Sequence, residues 1–151
     1  MTEPTGIART KQWFELAVPR PIPKNVTTQL GCHFEEVVEM MAGFKGTDRI
    51  TQAMFTQAMT ALHGLALHLK ADKDGSSIEV IDRKEVLDGI CDQFVTGTGL
   101  GSYLGFDVVG ALEEVNDSNF SKFVDGQPVF DKDLKIQKGP DFRKPNLTPF
   151  L

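Results

Sequence analysis

The sequence predicts an all-α protein: a four-helix bundle with an extended N-terminal arm and a loop-like, basic C-terminal segment. Three observations carry that expectation. Apolar residues recur at three- and four-residue intervals in four separate runs, the spacing of one helix face. Short polar or glycine-containing connections join the runs, as in a compact bundle. Strand signals are nearly absent.

Residues 1–26 hold Pro4, Pro19, Pro21 and Pro23 and little periodicity, so they read as the extended arm, with residues 27–151 as the domain. Trp13 and Phe14 would anchor the arm to a surface, for instance a neighbouring subunit's. The first helix is expected from about Val26 to Ala42, stopping near Gly43. Thr47 or Asp48 opens the second, which continues to about Leu69 with Met54, Ala58, Leu62, Leu65 and Leu69 at helical spacing. Lys70 to Ser77 is polar and contains Gly75, a loop.

The third helix begins after Asp82, which with Glu85 three places on has the form of a capping box, and runs towards Leu100. Asp107 is the expected N-cap of the fourth, from Val108 to Val115. From Asn116 the chain reads as loop and turns basic, with Lys122, Lys132, Lys135, Lys138, Arg143 and Lys144.

The chain has 151 residues, one domain's worth, with ordinary hydrophobic and charged fractions for a globular protein. A net charge of −5 argues against a general nucleic-acid or membrane-surface binder. No apolar run approaches the roughly 20 residues of a membrane span. The N-terminus lacks the basic-then-apolar order of a signal peptide. Cys32 and Cys91 each fall inside an expected helix and read as reduced, packed thiols of a cytoplasmic protein.

Chemistry concentrates on two helices. Glu35, Glu36 and Glu39 lie within five positions of the first; at about 100° per residue they share one side, opposite Leu30, Phe34, Val37, Val38 and Met41. Nothing basic lies four places on to relieve their repulsion. The third helix carries Glu85, Asp88 and Asp92, the last two one turn apart. Packed side by side at about 8–10 Å, these helices would bring up to five carboxylates together. All-oxygen ligation of that kind suits Mg²⁺ or Mn²⁺ better than zinc.

Glu-Glu-x-x-Glu on one helix and an acidic pair on another resembles the all-α nucleoside triphosphate pyrophosphohydrolases, the MazG-like family. The stretch Leu87 to Thr98 resembles a phage and bacterial branch of it. Glu114 to Lys122, and Lys138-Gly139-Pro140-Asp141-Phe142 through Leu147, resemble its C-terminal half. The resemblance covers roughly residues 27–147. One departure stands out: many members have Glu-x-x-Asp in the second acidic pair, and alignment on Asp92 puts Gly89 where the glutamate belongs. Asp88 would take that role, with Glu85-x-x-Asp88 as the other frame.

The resemblance implies a MazG-like bundle that hydrolyses a nucleoside triphosphate to its monophosphate and pyrophosphate, with dGTP or dATP as the expected substrate. It implies Glu36, Glu39, Asp88 and Asp92 as metal ligands. Glu35 serves a further metal or, like Glu36, the catalytic proton transfer. Asn119, Lys122 and Lys138 would meet the substrate. It further implies a homo-oligomer, a dimer or tetramer, in the cytoplasm (the host's if phage-encoded). The rival from another class is a non-enzymatic helical regulatory or assembly protein with an acidic face. Gly97 to Gly101 lacks the GxGxxG spacing and follows a helix, so it reads as close packing and not as a nucleotide loop.

Overall fold

The computed structural model describes residues 3–130 and 136–151. The expected Lys132 and Lys135 of the basic tail lie outside the described residues. The described chain is all-helical: α1 (Gly6–Ala17), α2 (Pro23–Ala42), α3 (Arg49–Ala71), α4 (Arg83–Tyr103), α5 (Val108–Phe120) and a 3-10 turn at Thr148–Phe150. Two compact units form, one of Arg20–Ile81 and one of the residues up to Pro19 with Asp82–Leu151.

The Arg20–Ile81 unit is a hairpin of α2 and α3. Pro23 at the first helical position has no N–H to leave unsatisfied. The Asn25 Oδ1 reaches back 2.8 Å to the Ile22 N–H, so α2 starts three residues before the expected Val26. The boundary expected between residues 26 and 27 therefore falls inside a helix. Asp48 opens α3 as expected, accepting from the Ile50 and Thr51 N–H groups at 2.9 Å. The helices meet most closely at Gly31. A Cβ there would lie 2.8 Å from both the Ala66 carbonyl oxygen and the Lys70 Cγ, so only glycine admits this approach. Thr27, Ala66 and Leu69 are buried around it. Of the apolar stripe expected on α3, Leu69 is buried, while Met54 and Ala58 are exposed and Phe55 and Met59 are half-buried instead.

α3 runs two residues past Leu69, so Lys70 belongs to the helix and not to the loop. The loop itself is organised by Asp72, whose carboxylate accepts from the N–H groups of Asp74, Gly75 and Ser77 and from the Ser77 hydroxyl at 2.6 Å. Those bonds, the Ser77 hydroxyl foremost, pull its pKa down to about 2.

In the other unit the expected extended arm is a helix. α1 lies beside α5, both running in the same direction, because polar groups on one match polar groups on the other turn by turn. The Glu113 carboxylate accepts from the Gly6 N–H and from Arg9. Buried Asn116 donates to the Gly6 carbonyl at 3.0 Å and accepts from the Thr10 hydroxyl at 2.8 Å. Arg9 also pairs with Asp117. The prolines that suggest an arm flank α1 without entering it. α5 extends to Phe120, five residues beyond expectation, since Asn116, Asp117 and Asn119 are used laterally and do not end the helix. The C-terminal segment is loop-like as expected, apart from its 3-10 turn, and Arg143 ties it to α5 through Glu114 at 2.6 Å and Asp117 at 3.2 Å. A tight turn at Asp125-Gly126, both with positive φ, pairs Val124 with Gln127.

Candidate functional site

α2 carries the acidic trio as the helical wheel requires, but a cation relieves it. Both Glu35 carboxylate oxygens accept from the Lys70 ammonium at 2.7 Å. Lys70 is placed by α2: its carbonyl accepts from Lys24 Nζ at 2.7 Å and its stem lies against Gly31. Within α2 itself nothing basic lies four places on from any of the glutamates, as expected. The lysine comes from α3, across the hairpin, where spacing within α2 cannot reveal it. Glu36 and Glu39 are exposed on the same helix.

Asp88 and Asp92 are exposed on α4, one turn apart, and Glu85 is beside the Asp82 cap, which accepts from the Lys84 and Glu85 N–H groups at 2.9 and 3.1 Å. The trio and the pair belong to different units. Among the described residues no three His, Cys, Asp or Glu side chains stand close enough together to hold a metal ion. The donor chemistry nevertheless suits Mg²⁺, which takes one or two protein carboxylates and completes its shell with water and substrate phosphate. Glu36 with Glu39, and Asp88 with Asp92, each supply two carboxylates on one helix face.

At the end of α5 the structure gathers Asn119, Lys122 and Trp13. The Asn119 Oδ1 accepts from Lys122 Nζ at 2.7 Å, and its backbone carbonyl accepts from the Trp13 indole N–H at 2.9 Å. Lys122 Nζ also lies 5.6 Å from the centre of the Trp13 ring, within cation–π range. Trp13 stacks on buried Phe123 with centroids 5.8 Å apart, so it anchors α1 within its own unit, in place of the expected arm. The Gly139 N–H donates to the Lys122 carbonyl at 3.2 Å, which holds Lys138 in the adjoining position, its Nζ 4.7 Å over the Phe142 ring. A Cβ at Gly139 would lie 2.9 Å from Val124 and 3.1 Å from that carbonyl, so the close approach requires glycine.

One group in this arrangement escapes sequence reasoning: Lys70 carries no signal beyond its place in a polar run, whereas Trp13 is expected as an anchor and the structure supplies its partners, Asn119 and Phe123. Comparison with protein-family models, with curated proteins and with solved structures finds no match for the chain.

Proposed function

We propose that the protein is a metal-dependent nucleoside triphosphate pyrophosphohydrolase with a MazG-like helical bundle, converting dGTP or dATP to the monophosphate and pyrophosphate. The observation that carries this reading is the Glu-Glu-x-x-Glu motif, lying wholly within α2 with Glu36 and Glu39 exposed, together with the occurrence of a second exposed carboxylate pair on α4.

In this reading Glu36 and Glu39 on α2, and Asp88 and Asp92 on α4, would be the ligands of Mg²⁺ or Mn²⁺. When bound, the ion neutralises the triphosphate charge and lowers the pKa of an attacking water. Glu35 has both oxygens on Lys70 and acts by positioning its neighbours, which leaves Glu36 as the carboxylate that takes the proton from water. Lys122 and Lys138 meet phosphate oxygens through charge-assisted hydrogen bonds, and Asn119 orients Lys122. The enzyme would act as a homo-oligomer in the cytoplasm.

Supplied with dGTP and Mg²⁺ or Mn²⁺, the protein should release dGMP and pyrophosphate together, as read by chromatography. Accumulation of dGDP with orthophosphate would mean a phosphatase. The Glu35–Lys70 pair favours a second reading, in which the acidic face is structural and the protein a regulatory or assembly module; it predicts no turnover of any triphosphate.

A further inference from the structure

The register of α1 on α5 is set by polar contacts: Gly6, Arg9 and Thr10 are tied to Glu113, Asn116 and Asp117. One turn further along, three contacts fix the Trp13 ring. Its N–H donates to the Asn119 carbonyl at 2.9 Å, and its face stacks on buried Phe123 with 12° between the planes. Phe14 meets it edge-on at 5.0 Å. Over this ring lies the Lys122 ammonium, 5.6 Å from the centroid, which also donates to Asn119 Oδ1 at 2.7 Å. Asn119 therefore receives Trp13 at its backbone and Lys122 at its side chain.

Anchoring α1 explains the stack on Phe123 but not the ammonium. A lysine charge is strongly hydrated, and its flexible stem lets it reach water. Lys122 is instead half-buried with its charge over an indole, the ring that attracts a cation best. A ring face draws the charge without offering a lone pair, so it fixes where the ammonium sits without standing in for a phosphate oxygen. Ordering a lysine side chain before a ligand arrives also removes part of the rotamer entropy that binding would cost. We propose that Trp13 is a positioning residue for phosphate recognition: it holds the Lys122 ammonium ready, so that α1 completes the phosphate-binding end of α5. This rests on the reading above in which Lys122 meets a phosphate oxygen. An anion that reaches the ammonium changes the field at the indole beside it. Trp13 is the chain's one tryptophan, so its emission reports that event.

The test titrates the full chain with inorganic pyrophosphate at fixed Mg²⁺ and reads tryptophan emission, alongside steady-state kinetics with dGTP. Emission should change and saturate in the wild type. Lys122→Met should abolish the response, and Lys73→Met, on an exposed loop of the other unit, should leave it intact. In the kinetics, Trp13→Leu should raise KM about fivefold with kcat within about twofold, the pattern of lost ground-state binding. Trp13→Phe, which keeps a ring on Phe123, should raise KM less. Trp13→Leu added to Lys122→Met should worsen kcat/KM by no more than about twofold, since the two residues act through one contact. No emission change would overturn the proposal; if dGTP is still hydrolysed, the activity stands without it. A response that survives Lys122→Met would overturn it too. So would effects of Trp13→Leu and Lys122→Met that multiply in the double variant, because Trp13 would then only pack. A Lys122-dependent response from a protein that hydrolyses no dGTP would support the proposal and sink the activity instead.

Discussion

Replacing Lys70 with methionine keeps the stem that packs on Gly31 and deletes the ammonium held at 2.7 Å by both Glu35 oxygens. The two side chains are 27% and 33% exposed, so the pair is neither fully solvated nor dry. Exposed pairs couple by about 0.2–1 kcal/mol, and hydrogen bonds to charged groups by about 1.5–3 kcal/mol. A coupling of about 1 kcal/mol follows for this partly screened pair. The assay is a double-mutant cycle of Lys70→Met, Glu35→Gln and the double variant by urea denaturation. With slopes of roughly 1–3 kcal/mol per molar, the midpoint of Lys70→Met should fall by about 0.3–1 M. The double variant should be little worse than either single one. Removing the lysine also leaves three like charges on one face of α2, so added Mg²⁺ should recover part of the deficit. A coupling below about 0.3 kcal/mol, the usual limit of additivity, would refute the claim that Lys70 holds the acidic face.

Gly31→Ala places a methyl against a backbone carbonyl that cannot swing away, and should destabilise the hairpin by about 1–3 kcal/mol in the same denaturation assay. The Asp72 carboxyl, held down to about 2 by the Ser77 hydroxyl and the loop amides, stabilises the fold above its ordinary value of 3.8. That contribution is lost as pH falls through about 2; carbon-detected NMR should place the Asp72 titration there, and Ser77→Ala should move it up. Lys122→Ala should lower kcat/KM for dGTP roughly 10- to 150-fold through loss of a charge-assisted contact, while wild-type kinetics would mark Lys122 as a structural partner of Asn119.

The existence of α2, α3, α4 and α5 was legible in the residues because it rests on local rules, whereas α1 was not. Asp48, Asp82 and Asp107 each cap the helix they announce. What the residues hide is lateral. Gly6, Arg9, Thr10 and Trp13 show no apolar periodicity, yet they form a helix because α5 offers Glu113, Asn116, Asp117 and the Asn119 carbonyl at matching turns. The same residues keep α5 helical past Val115, where Asn and Asp by themselves favour an ending. At the candidate site, the faces of Glu36 with Glu39 and of Asp88 with Asp92 follow from helical spacing alone. The Lys70 contact to Glu35 depends on how two helices cross at Gly31, which no single-helix pattern contains.

The central claim is that carboxylates on α4 serve catalysis with a metal. Asp92→Asn removes one charge from an exposed helix face, where no buried bond is lost, so the apo protein should melt at the wild-type temperature or above. The decisive measurement is release of dGMP and pyrophosphate from dGTP by wild type and Asp92→Asn, side by side, at saturating Mn²⁺. The wild type should turn over and the variant should lose most of its activity. Equal turnover by the two proteins would contradict the account.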